Sequence, residues 1–200
     1  TKDFYISFGG SYRKDASGEF TKRITTAFNY RPTPNIQLQL SPTYSIENNT
    51  DQFIGFFDVN NLNKNEYVFS STSIEQFNFT MRLDWTFSPR LSLQTYVRPL
   101  ISSIDFSDFK SFSERKTYNF KPTTQQFPDT YDFERHSIQG NAVLRWEYRP
   151  GSTFYIVWQQ QREQSLASQS NFSPYFNTID ILKESPTNIF LIKFSYWIGN

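Results

Sequence analysis

The chain contains a single histidine, His136, and Asp132, Glu134 and Ser137 stand within four residues of it. Carboxylate, imidazole and hydroxyl are the parts of a hydrolytic relay, so a hydrolase at the rim of a larger scaffold is one reading. Such a relay needs base and nucleophile within hydrogen-bond reach and a third group to orient the base. Local spacing does not specify that geometry, and a solvated histidine at a strand start accounts for the same residues. The stretch Asp58-Val59-Asn60-Asn61-Leu62-Asn63-Lys64-Asn65-Glu66 has the composition of a Ca²⁺ loop. It lacks the central glycine and puts Leu62 at a ligand position, so it reads as a polar loop. With no cysteine, a disulfide framework, thiolate metal ligands and a cysteine nucleophile are excluded. No glycine-rich phosphate cradle, zinc motif or nucleophile elbow is present, so no metal or cofactor is expected.

Two further groups could do chemistry without catalysis. Arg82, Asp84, Arg98, Arg145, Glu147 and Arg149 alternate with apolar residues, and on a strand that spacing places them on one face. A wall of charge can line a solute-selecting path; with both signs mixed, it can equally form ion pairs that fill an interior. Phe106, Phe109, Phe112, Tyr118, Phe120, Phe127, Tyr131 and Phe133 crowd one long connection among Asp, Lys and Arg. Such rings either contact sugars or a partner protein, or pack on each other over the mouth of the fold.

The elements that must position these residues are announced by a motif of aromatic-x-aromatic-x-Pro. It occurs as Phe28-Asn29-Tyr30-Arg31-Pro32, Trp85-Thr86-Phe87-Ser88-Pro89 and Trp146-Glu147-Tyr148-Arg149-Pro150. Period-2 alternation on both sides of a short Pro turn is a hairpin signal. Ile36, Leu38 and Leu40 alternate with Gln37 and Gln39; Phe77, Phe79, Met81, Leu83, Trp85 and Phe87 alternate with Asn78, Thr80, Arg82, Asp84 and Thr86. About eight strands are predicted, with short turns near 32–35, 88–90 and 150–152. Long loops are predicted at about 47–66, 106–135 and 164–188 on the opposite end.

The composition fits this pattern. Hydrophobic residues make up 37% of the chain while aromatics reach 19%, with 22 Phe and 12 Tyr. That balance suits a membrane barrel with an apolar band, aromatic girdles and a polar interior. Girdle candidates are Tyr30, Trp85, Phe87, Trp146, Tyr148, Trp158 and Trp197. The net charge of +1 gives no push toward nucleic acid. The first residue is Thr1, with neither initiator Met nor signal peptide, so a fragment is expected. A soluble β-sandwich shares the period and could expose the charged face to water; strand length and girdle position favour the membrane.

The run Arg145-Trp146-Glu147-Tyr148-Arg149-Pro150-Gly151-Ser152-Thr153, continuing to Val157-Trp158-Gln159, resembles a known family. It is similar to the C-terminal barrel of bacterial outer-membrane proteins, mostly from Bacteroidota, catalogued as a domain of unknown function. Lys193-Phe194-Ser195-Tyr196-Trp197 resembles that family's final strand, while residues 1–135 carry only the general barrel pattern. Members place a family-9-like carbohydrate-binding domain before the barrel. The resemblance implies the last part of a larger barrel and supplies no catalytic residues.

The expectation is an all-β, antiparallel transmembrane β-barrel in the bacterial outer membrane, without enzymatic activity. Long loops would be extracellular and both ends of this segment periplasmic. It would act as a surface pore or as a binding component for extracellular ligands, glycans among them. Its partners would be outer-membrane lipid and other outer-membrane proteins. The alternatives are a structural subunit that docks partners through its aromatic loop, and the rim hydrolase using His136.

Overall fold

The computed structural model describes residues 3–58, 65–114, 117–123, 131–167 and 181–199. They form one antiparallel sheet of nine strands: β1 (Asp3–Lys14), β2 (Phe20–Thr33), β3 (Ile36–Asp58), β4 (Asn65–Ser88), β5 (Leu91–Phe112), β6 (Phe120–Pro122), β7 (Phe133–Arg149), β8 (Ser152–Ala167) and β9 (Thr187–Ser195). Eight of them follow the order β1-β2-β3-β4-β5-β7-β8-β9, and the three-residue β6 pairs beside β5. A 3-10 turn at Ile181–Lys183 precedes β9.

Each proline motif ends in a tight turn, as predicted. At the third, Gly151 adopts φ of 75°, a left-handed backbone that glycine adopts without steric penalty. A Cβ there would also lie 3.0 Å from Trp197 Cβ. At the opposite end, the β1–β2 loop is tied by Asp15, which accepts hydrogen bonds from the Ser17 hydroxyl at 2.7 Å and from the Ser17 and Glu19 amides. The Ser17 hydroxyl bond, helped by those amides and opposed by desolvation, holds the Asp15 carboxyl below its ordinary range.

The register lines up the apolar positions of every long strand on one face. One row runs Phe4–Tyr30–Leu38–Leu83–Thr95–Ala142–Trp158–Phe190, and a second runs Ile36–Trp85–Leu93–Leu144–Ile156–Ile192. On β4 the apolar run Phe77–Phe87 is about 35 Å of strand at ~3.3 Å per residue. At the ~45° tilt of barrel strands it rises about 25 Å, the height of an outer-membrane apolar band.

Among the described residues no second layer packs on these rows. Among the described residues only Val68, Ile101 and Ile181 are buried apolar side chains, against ten buried polar or charged ones. Phe8, Phe190 and Ile192 are 78%, 69% and 71% exposed. A sheet with that distribution has no core of its own to hold it folded in water. No helix among the described residues is long and apolar enough to cross a membrane, which bears on helical spans alone.

The structure corrects three expectations. The sheet is not closed into a barrel: β1 and β9 are edges, and no pairing joins them. The segment expected to be a loop from residue 47 is largely strand, and the one from residue 106 is strand at its start, at Phe120–Pro122 and at its end, because β3, β4 and β5 run on for 23, 24 and 22 residues. That is about twice the 9–11 residues that cross a bilayer. Their outer halves pair with each other, with Gln52 opposite Ser70 and Val68 opposite Ser111, to form an arm beyond the apolar band. The third connection shortens as well, since β8 reaches Ala167 and β9 starts at Thr187. Residues 59–64, 124–130 and 168–180 lie outside the described residues, and with them most of the Ca²⁺-like stretch, Phe127 and Pro174.

Candidate functional site

His136 is not at a solvated strand start. β7 begins earlier, at Phe133, and both His136 and Glu134 are 1% exposed. His136 Nε2 lies 3.0 Å from Glu134 Oε2, and with Glu134 ionised the imidazole donates. The other neighbours in sequence are separated from it. Asp132 Oδ1 accepts the Phe106 backbone N–H at 2.6 Å, and Ser137, one residue on, points to the opposite face. No hydroxyl hydrogen-bonds His136 among the described residues, and its Nδ1 is buried without a partner. Among the described residues the imidazole is paired with Glu134 and no nucleophile lies on it.

Beside His136, the 3-10 turn and the residue after it fold back across β7 and β8. Ile181 is 1% exposed; Arg162 Nη1 donates to the Leu182 carbonyl and, at 2.9 Å, to the Glu184 carbonyl. Gln164, the cross-strand partner of His136, donates to Glu184 Oε1 at 2.6 Å. Hydrogen bonds from a charged donor contribute about 1.5–3 kcal/mol each. Arg162→Ala is expected to free this strap and to speed tryptic cleavage after Lys183 by roughly tenfold or more, followed by peptide mass spectrometry. An unchanged rate would show that Ile181 and the Gln164–Glu184 bond hold the strap without Arg162.

Just beyond the apolar run of β4 lies a second polar contact on the same face. The Tyr44 hydroxyl donates to Glu75 Oε1. Burial raises the Glu75 carboxyl above its ordinary 4.5, and the charge of Asp105 adds to the rise. A raised folded-state value favours the protonated form in the fold. The stabilising contribution is therefore full below about pH 4.5 and is lost as pH rises through the raised value. Glu75→Gln keeps an acceptor for Tyr44 and carries no charge. It is expected to flatten this pH dependence and to be at least as stable as the parent at pH 7, compared by denaturant midpoints at pH 4 and 7.

The six charges of the polar face share that face but do not form a ladder. Arg82 and Asp84 stand opposite Tyr96 and Gln94 on β5, not opposite charges, and Arg98 stands opposite Gln139. Arg82 lies 5.9 Å from the Tyr96 ring centroid. Among the described residues only Arg145 and Glu147 form an ion pair within the set, at 3.4 Å. Arg149 turns to the Tyr196 hydroxyl at 2.7 Å, past a bulge between Glu147 and Arg149.

The aromatic connection packs on itself. Phe106 and Phe109 meet Tyr131, and Phe106 also stacks with Phe133, with ring centroids 5.2–6.2 Å apart. Phe112 and Phe120 stack at 5.0 Å, and both meet Phe69 of β4. Lys110 pairs with Asp51 at 2.6 Å and lies over Phe120. Of the described rings expected to contact a ligand or partner, only Tyr118 stands clear, 88% exposed. The exposed aromatics of the arm are instead Phe53, Phe56 and Tyr67, packed edge to face along its tip.

Tyr30, Trp85 with Phe87, and Trp146 with Tyr148 all sit just before the short turns, and Trp197 packs over Gly151. Trp158 does not belong to that rim. On its face of β8 it is followed by Gln160, Arg162 and Gln164 before Leu166, and its indole N–H donates to Asn188 Oδ1 at 3.0 Å.

Sequence reasoning missed a group of side-chain amides on the polar face. Asn141 faces Gln159 and Gln139 faces Gln161 across β7 and β8. Tyr96 and Arg98 flank them on β5, and Ile189 and Thr187 on β9. A groove of about 260 Å³ opens over them, lined also by Gly140 and Gln160. Among the described residues no group of three His, Cys, Asp or Glu side chains could hold a metal ion.

No curated protein and no solved structure matches the chain. A family model does, over residues 1–199, and so along far more of the chain than the hairpin at Pro150 suggested. The chain belongs to the family described as a domain of unknown function, DUF5916.

Proposed function

We propose that this sheet is the membrane-spanning part of an outer-membrane β-barrel whose polar face lines a water-filled interior and admits or holds extracellular solutes. One observation carries the reading: a row that is apolar at every position but Thr95 runs through all eight long strands, from Phe4 on one edge to Phe190 on the other, and among the described residues no second layer packs on it. Lipid is the solvent that such a face requires. An apolar groove of about 350 Å³ between Phe4, Phe28, Tyr30, Leu38 and Leu40 is suited to an acyl chain. The short turns would face the periplasm and the arm of β3, β4 and β5 the outside.

The two open edges support a larger barrel. In lipid an unpaired strand edge leaves a row of backbone donors and acceptors without water, so further strands must pair with β1 and β9. The reading includes no enzymatic step, and glycans are the first solute class to try. The test is the native protein taken from outer membranes. Heat-modifiable migration on a gel and a mass well above 23.7 kDa are expected. A native chain of this mass that stays in the soluble fraction would contradict the proposal.

The self-packed rings of the arm weaken the docking alternative through Phe106 to Phe133. The exposed Phe53, Phe56 and Tyr67 keep a partner-binding role open for the arm's tip.

A further inference from the structure

The amides of β7 and β8 are chemically distinct from the rest of the polar face. Gln139, Asn141 and Gln159 make no side-chain hydrogen bond within the protein among the described residues, whereas Gln161 donates to Glu163 at 2.9 Å and Gln160 to Asn188 at 3.0 Å. Each free amide presents an acceptor oxygen and a two-hydrogen donor with no net charge. Directly opposed residues on antiparallel strands stand ~4.5–5.5 Å apart, so the opposed pairs form a compact two-by-two array. Apolar walls bound its ends, the Tyr96 ring on β5 and Ile189 on β9. Arg98 stands opposite Gln139 and Arg82 lies against Tyr96, while Glu163, which accepts from Gln161, is paired with Arg135 at 3.6 Å.

We infer that this array is a binding subsite for an uncharged, hydroxyl-rich solute of the saccharide class. A sugar hydroxyl both donates and accepts, which a side-chain amide matches with two groups and a carboxylate or guanidinium does not. The C–H faces of the ring rest against Tyr96 and Ile189. The groove falls just below the size of drug-sized pockets, which suits a single ring of a longer chain passing over it. The inference rests on the reading of this face as a lumen wall, because only there do the array and a solute share a confined aqueous space.

The test is calorimetric titration of maltohexaose into the full-length, detergent-purified protein. Binding is expected, weakened roughly 10- to 100-fold in Asn141→Ala/Gln159→Ala through loss of two or more hydrogen bonds. Asn141→Asp, nearly isosteric but charged, is expected to weaken it in the same direction. Gln37→Ala/Gln39→Ala, which removes amides from the same face of β3, is expected to leave it within about twofold. Equal binding by parent and the β7/β8 variants would overturn the subsite, as would binding of an oligogalacturonate but not of maltohexaose. A protein that binds maltohexaose through these amides yet does not partition into membranes would support the subsite and overturn the barrel reading. A heat-modifiable, inserted protein that ignores maltohexaose would overturn the subsite alone.

Discussion

On the proposed membrane-spanning reading, Leu83→Arg is expected to destabilise the protein in lipid by about 2–4 kcal/mol, the cost of a cation near the midplane on the lipid-facing side of a barrel. Leu83 stands in the row between Leu38 and Thr95, midway along the β4 apolar run. The same substitution at the rim, Phe87→Arg, should cost about 1 kcal/mol or less, because the side chain reaches the headgroups. On the opposite face Gln94→Arg should stay within about 0.5 kcal/mol, since it faces Asp84 and water. Denaturant midpoints in lipid vesicles check all three. A protein core would give a different pattern, with both apolar positions costing alike.

The second large effect concerns the arm. Phe69 is the hub of its aromatic packing: its ring centroid lies 5.4 Å from Phe53, 4.7 Å from Phe112 and 5.3 Å from Phe120. Around it Val68, Ser70 and Ser111 are essentially closed to solvent, with the Ser70 hydroxyl on the Ser107 carbonyl at 2.6 Å. Phe69 is half-buried, so Phe69→Ala should cost about 2–3 kcal/mol, below the range for a fully buried phenylalanine. The loss is expected to be local. Limited proteolysis should cut within β3 to β5 outside the apolar band, while the heat-modifiable gel shift of the spanning part remains. Unchanged protection would mean that the ladder of backbone hydrogen bonds, not the aromatic cluster, holds the arm together.

The pattern of strands was legible because alternation and the proline turns are local signals. The arm was not. Glu47, Asn48 and Asn49 are poor strand formers, and pairing with Ile74, Ser73 and Thr72 of β4, together with Phe20 and Thr21 of β2, makes them strand. Tertiary pairing outweighs such propensities. Asp108, at a positive φ of 49°, and the register shift between Phe69 and Ser71 let β5 continue past residues that read as a loop. Beside the buried His136, a segment some forty-five residues later folds back onto Arg162 and Gln164, which no local spacing encodes. The amide array was closer to reach, since the tight turn at Pro150-Gly151 fixes its hairpin. Counting outward from Arg149 opposite Ser152 places Asn141 opposite Gln160, on the wrong face. The bulge between Glu147 and Arg149 shifts the count by one and brings Gln159 there instead.

The central claim is that the apolar face lies in lipid and the polar face in water. The chain has no cysteine, so single cysteines introduced along β4 from residue 77 to residue 87 each report one position. Native outer membranes carrying these variants would be treated with a water-soluble, membrane-impermeant maleimide. The account predicts alternation, with labelling at positions 78, 80, 82 and 84 and protection at 77, 79, 81 and 83. Uniform labelling of both sets would contradict it.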